Sequence, residues 1–277
     1  MRVIYRPQGR AGEYASHAVT LYCGCPNGCL YCFAPGIFRV TPIEYHSYCA
    51  PRVGLLDALR HECAAIHTVA NDLVNPTDPP NILLSFASDP YPTGANPITR
   101  PALTILSQHA IPYTVLTKRP SAAIHDLDLY TIPGCTLATT LAAPPHLQSQ
   151  LEPKTDKPEA RMAALRQAHE LGIPTWISLE PCIDPLWTQE VILETAPYCD
   201  HYRLGPLNYN GNHRAHPIPI DWPSALTCIL GLCNTLCKPI WIKTDLHQHL
   251  TSDQLRQLTP PPHLQFNPST IPLVHRP

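Results

Sequence analysis

Apolar runs that read as strands alternate with helical patterns about six times along this 277-residue chain, and the connections between them are short. Strand-like runs fall at residues 17–22, 81–86, 113–117, 135–141, 175–179, 201–204 and 240–243. Helical periodicity covers 55–73, 101–109, 122–129, 159–171, 188–195 and 224–236. Such alternation implies parallel strands joined by right-handed crossovers. Six units are too few for an eight-fold barrel. The expectation is an α/β fold, a partial (β/α)6 TIM-type barrel over residues 17–246. Residues 1–16 read as an N-terminal extension, and 247–277 as a proline-rich C-terminal tail packing on the barrel or trailing from it.

In such a barrel the active residues sit at the carboxyl ends of the strands. The first strand runs into "CGCPNGCLYC", in which Cys25, Cys29 and Cys32 have the spacing C-x3-C-x2-C. An iron–sulfur cube needs thiolates a few ångström apart, so one tight loop can supply its ligands. Three regular ligands leave one iron open. Pro26 and Gly28 suit the sharp turns of such a loop, and Tyr31 precedes the third cysteine, where its ring can lie against whatever binds the open iron. A disulfide pair and a zinc site are the alternatives. Zinc takes four protein ligands, usually as two spaced pairs, and no second C-x2-C or H-x3-5-H follows cleanly.

The motif resembles the signature of the radical S-adenosylmethionine (radical SAM) enzymes. The resemblance implies a [4Fe–4S] cluster on Cys25, Cys29 and Cys32 whose open iron chelates SAM, within the same (β/α)6 partial barrel. SAM carries a carboxylate, an ammonium, a sulfonium and a ribose. The strand ends carry matching groups: Ser88 and Asp89, Lys118, Thr139 and Thr140, Glu180 with Cys182 and Asp184, Asn208 and Tyr209, and Lys243 with Asp245.

Composition narrows the setting. Net charge is −2, so no broad field attracts nucleic acid. Twelve cysteines in 277 residues do not make a small disulfide scaffold. Residues 1–16 lack the apolar core of a secretory leader, and no run reaches the length of a membrane span. A cytoplasmic protein with reduced thiols and no membrane partner is expected. The 34 prolines cluster in "NPTDPP", "AAPP", "HPIPIDWP" and "TPPPH" and read as rigid loops. Cys228, Cys233 and Cys237 fall at 0°, ~140° and ~180° round a helix and do not converge. Cys23 is expected to point away from the ligands, and His247–His249 to lie in an exposed loop.

The segments "QGRAGEYASHAVTLYCGCPNGCLYCFAP", "SFASDPYP", "TKRPSAAIHDLDL", "EPKTDKPEARMAALRQAHELGIPTWISLEPCIDP" and "DHYRLGPLNYNG" resemble the spore-photoproduct-lyase-like branch, whose members are often described as DNA repair photolyases. The resemblance spans roughly residues 5–246. It implies that Ser88 contacts the methionine part of SAM and that Lys118 pairs with its carboxylate. It puts Thr139 or Thr140 near the ribose, and Glu180 at a polar strand-five position near SAM. One departure is plain. The branch's lyases carry a hydrogen-donating cysteine three residues before the aspartate that Asp89 matches, and here that residue is Phe86. Cys182, two residues beyond Glu180, is expected to face the mouth and is a candidate replacement donor.

The implied function is reductive cleavage of SAM at the cluster to a 5′-deoxyadenosyl radical, which abstracts hydrogen from a substrate. A lyase or an oxidoreductase fits, with an electron donor such as flavodoxin or ferredoxin as partner. The alternatives are a non-catalytic iron–sulfur sensor or partner protein, and a lyase that repairs nucleic-acid lesions. Low positive charge weakens the last, because phosphate contacts supply much of such affinity.

Overall fold

Seven parallel strands need six crossovers, and the chain supplies them. A computed structural model describes residues 2–68, 81–94, 97–207 and 219–261. Its strands are β1 (Ile4–Tyr5), β2 (His17–Val19), β3 (Tyr22–Cys23), β4 (Ala50–Pro51), β5 (Ile82–Leu84), β6 (Tyr113–Thr117), β7 (Thr136–Thr140), β8 (Thr175–Leu179), β9 (His201–Leu204) and β10 (Ile240–Ile242). Its helices are α1 (Ala34–Phe38), α2 (Pro42–Ser47), α3 (Leu55–Thr68), α4 (Thr99–Gln108), α5 (Pro120–Ala123), α6 (Pro145–Leu151), α7 (Pro158–Glu170), α8 (Pro185–Thr195), α9 (Trp222–Thr235) and α10 (Ser252–Gln257).

Eight strands form one sheet in the order β1-β2-β5-β6-β7-β8-β9-β10. From β2 to β10 every pairing is parallel, and β1 pairs antiparallel with β2. The end strands β1 and β10 are not paired with each other, so the barrel is partial, as expected. The stretch read as an N-terminal extension supplies that antiparallel edge. The first expected strand is shorter than 17–22: it stops at Val19, and Tyr22–Cys23 forms a separate ribbon with Ala50–Pro51. Of the helix expected at 55–73, residues 69–73 lie outside the described residues, as do Asn208, Tyr209 and the tail beyond residue 261. Among the described residues no helix is long and apolar enough to cross a membrane.

Successive strand side chains point to opposite faces, and the two faces have different surroundings. Ile82, Leu84, Val115, Leu137, Ile177, Leu179, Tyr202 and Leu204 join the main core with residues of the outer helices. Ala18, Leu83, Ala138 and Trp176 form a separate cluster inside the barrel, with Leu116, Phe86 and Tyr14 against it. That alternation decides which residues reach the cavity.

The prolines do more than stiffen loops. Seven helices, α1, α2 and α5 to α9, carry proline at their first or second position. There the missing N–H would have no helical partner, and the fixed φ already suits the helix. Asp184, expected at the mouth, instead caps α8: its side chain accepts from the Leu186 and Trp187 N–H groups.

Candidate functional site

The carboxyl ends of the strands surround a cavity of about 460 Å³. One wall is the loop after β3. Cys25, Cys29 and Cys32 all line the cavity, with Tyr31 beside them. Two buried carboxylates hold this loop, Asp89 from the cavity lining and Glu152 from behind it. Asp89 accepts from Asn27 Nδ2 (3.0 Å), the Lys118 N–H (2.9 Å), Thr117 Oγ1 (2.6 Å) and the Tyr91 N–H (2.8 Å). One side chain thereby ties the cysteine loop to the end of β6. Glu152 accepts from the Tyr31 hydroxyl and pairs with Arg161, and both members of this pair are almost fully buried. Arg161 also donates to the Thr140 carbonyl (2.7 Å), linking the loop to β7.

The thiols sit in apolar surroundings. Cys29 packs with Tyr31, Leu151 and Ile183; Cys25 packs with Ala34 and Tyr45; Cys32 touches both groups. Burial pushes the Cys25 thiol up to about 12. It also raises Cys29 and Cys32, where Lys118 works in the opposite direction. Ligand thiols must lose their protons, so loading this loop with metal releases protons. Among the described residues no three His, Cys, Asp or Glu side chains converge to hold a metal ion. A single ion needs its donors to meet at one point. A cubane spreads three thiolates over three irons, and three thiols lining one cavity are compatible with that arrangement. The donor set is all sulfur, which suits iron–sulfur chemistry.

Lys118 lines the cavity with its Nζ 5.4 Å from the Tyr31 ring centre. Ser88 is buried on the same lining, its hydroxyl 3.3 Å from Ser85 Oγ. Thr140 reaches the cavity and Thr139 does not. On β7, Leu137 belongs to the outer core and Ala138 to the interior, so Thr139 falls on the outer face, where its hydroxyl donates to the Thr117 carbonyl (2.7 Å). Cys182 is corrected in the same way. It is buried in the outer core, its Sγ is 3.3 Å from Thr188 Oγ1, and it does not line the cavity. The strand ends at Leu179 and the chain then turns into α8, so the two-residue alternation that places Glu180 inside does not continue to Cys182. Cys23 is exposed; Cys228 and Cys237 are exposed and Cys233 buried, so these thiols do not gather.

The facing wall comes from β8 to β10 and from residues 8–14. Glu180 accepts from Arg10 Nη2 (3.0 Å) and from the Tyr14 hydroxyl (2.6 Å), and Lys243 Nζ is 3.7 Å away. Lys243 also lies 3.8 Å from Glu13 and donates to the Arg10 carbonyl, while Arg10 pairs with Asp245 as well. Deeper in the barrel, the Arg203 guanidinium lies 4.3 Å from the Trp176 ring centre. Burial lowers Arg203 to about 10 and lowers Lys243, the latter against the pull of Glu180 and Glu13. Gly205 makes this packing possible: a Cβ there would stand 2.7 Å from Glu180 Cδ and 2.8 Å from Lys243 Cγ. Phe86 lines the cavity edge-on to Tyr14, with 6.1 Å between ring centres. Arg10 and Tyr14 were not singled out in the sequence. Only their place in "QGRAGEYAS", next to the first strand, hinted at them.

No protein-family model and no curated protein matches the chain. Solved structures do. A spore photoproduct lyase mutant matches with a TM-score of 0.63 at 13% identity, over 87% of this chain and 78% of that one. Another mutant, with bound AdoMet and dinucleoside spore photoproduct, gives 0.60 at 14% identity over 83% of this chain and 76% of that one. Streptococcus suis SuiB bound to S-adenosylmethionine gives 0.55 at 12% identity, over 81% of this chain and 49% of that one, so the chain spans about half of SuiB. This chain is similar in fold to these proteins, and the resemblance carried by its motif segments holds at that level.

Proposed function

We propose that the chain is a radical SAM enzyme that holds a [4Fe–4S] cluster on Cys25, Cys29 and Cys32 and SAM beside it. One observation carries the reading: the three cysteines of the C-x3-C-x2-C loop line the same cavity as Lys118 and Ser88. When bound, the cluster and SAM supply one-electron cleavage of the sulfonium bond, giving a 5′-deoxyadenosyl radical that abstracts hydrogen from a substrate. The chain's own residues bind and orient. Lys118 pairs with the SAM carboxylate, Ser88 supports the methionine part, and Thr140 lies toward the ribose. Asp89 and Glu152 keep the ligand loop in register with β6 and β7. Glu180 is engaged by Arg10 and Tyr14, so it shapes the facing wall and meets SAM only through that network. Lesion repair takes support from the dinucleoside photoproduct bound to the structural neighbour. Against it stand Phe86 in the donor position and a net charge of −2.

The test is anaerobic reconstitution followed by SAM and a reductant. The expected result is one cluster per chain and formation of 5′-deoxyadenosine, both lost in Cys29→Ala. A chain that takes up the cluster but makes no 5′-deoxyadenosine would instead be an iron–sulfur sensor or partner protein. An iron content of about eight per chain would mean a second cluster.

A further inference from the structure

Of the eleven large apolar side chains exposed among the described residues, seven fall between Leu30 and Val53. That stretch follows the ligand loop and carries α1 and α2. Ile43 is 83% exposed and Val53 93%. Isolated exposed apolar residues are ordinary, but a concentration beside a site marks a contact surface. We propose, on the basis of the cluster reading above, that this collar is the docking face for a small acidic protein that carries one electron.

Three observations select that occupant. The collar is built directly on the first ligand: the Cys25 N–H donates to the Tyr45 carbonyl (3.3 Å), and His46 Nδ1 lies 2.8 Å from the Cys25 carbonyl. The Tyr45 ring packs against Cys25 and stacks on Phe38, 5.7 Å between centres. A partner on this face therefore stands one layer of side chains from the thiols. Ile37 both lines the cavity and is 62% exposed, so the surface is continuous with the cavity wall. The charges beside it are mostly basic. Within the collar itself Arg39 and Arg52 stand against Glu44. Glu44 is already engaged in a capping box with Thr41.

The proposed chemistry consumes one electron for each SAM cleaved. The donor is oxidised by one electron and the cluster is reduced by one, and no proton need move. Redox complexes of this kind are small and brief, with an apolar centre and a charged rim that speeds encounter.

The test compares the intact chain with Ile43→Asp/Val53→Asp, using Leu193→Asp on α8 as an exposed apolar control. Binding of flavodoxin is measured by calorimetry, and cluster reduction is followed by stopped flow with either reduced flavodoxin or dithionite. The collar variant should bind flavodoxin about tenfold more weakly and be reduced by it about tenfold more slowly. Dithionite reduction and the control should be unchanged, and added salt should slow flavodoxin-driven reduction of the intact chain. Unchanged binding and rate in the collar variant would overturn the proposal. So would an equal slowing with dithionite, or loss of a dimer in the variant with flavodoxin binding intact. If no cluster assembles, the function reading fails by itself, and the calorimetric arm still tests the docking face.

Discussion

At the ligand-loop end of the cavity the carboxylates are engaged by loop and strand groups, whereas at the β8–β10 end carboxylate and cations bind one another across the wall. Asp89, on the cavity lining, and Glu152, behind it, are engaged by Asn27, Thr117, Tyr31 and Arg161, and the thiols, Ser88 and Lys118 line the same cavity. Opposite them, Glu180, Arg10, Tyr14 and Lys243 face the cavity and bind one another. The first wall leaves its reactive groups for a ligand. The second is held together by its own ion pairs. Substitutions in the two walls should therefore separate into losses of ligand and losses of fold.

The largest effect on stability belongs to the second wall. Lys243→Met leaves Glu13 and Glu180 without the cation that lies 3.8 and 3.7 Å from them. Removing one partner of a buried ion pair costs about 3–5 kcal/mol. Denaturant unfolding of the metal-free chain should show this loss. A loss below about 1 kcal/mol, the range of surface pairs, would mean that the wall is not self-supporting and would erase the contrast.

Lys118→Ala should do the reverse. Its fold should be nearly unchanged and its cluster retained, while SAM binds more weakly by ~1.5–3 kcal/mol, the range for a hydrogen bond to a charged group. Calorimetric titration of SAM into the reconstituted protein reads this directly. Equal SAM affinity in variant and parent would show that the cation serves the loop and not the ligand.

The same contrast explains what was legible beforehand. The cysteine loop, Ser88 and Lys118 are each set by a short stretch next to a strand end, so local spacing found them. The barrel was legible because strand and helix periods alternate over long stretches. The second wall joins residues 10 and 14 to 180 and 243, and no local pattern announces pairs so distant in sequence. Counting in twos from a strand works only while the strand lasts. It separates Thr140 from Thr139, but it fails at Cys182, past the end of β8. Asp184 was misplaced for a related reason: before Pro185 it is a helix cap, and a cap uses up its carboxylate. The exposed collar was hidden because α1 and α2 are too short to show a period.

The smallest effect lies at the amino end of β9, the strand that carries Arg203. His201 stacks on Trp176, 5.4 Å between ring centres, beside Arg203. Burial first, and then the Arg203 charge, lower its pKa to about 3. An unfolded histidine titrates near ~6.5. Between these values the unfolded chain binds a proton that the folded chain refuses. The stability that neutral His201 supplies is thus complete above pH ~6.5 and declines as pH falls toward ~3, by at most ~1.4 kcal/mol per pH unit. His201→Phe keeps a ring against Trp176 and removes the proton site. Its unfolding free energy should lose less than the parent's between pH ~6.5 and ~5, with other groups cancelling in the difference. Parallel pH curves would mean that water reaches His201 and that the barrel floor is not sealed. A shallower curve for the variant would place a dry, cationic floor beneath a wall that supplies its own counter-charges.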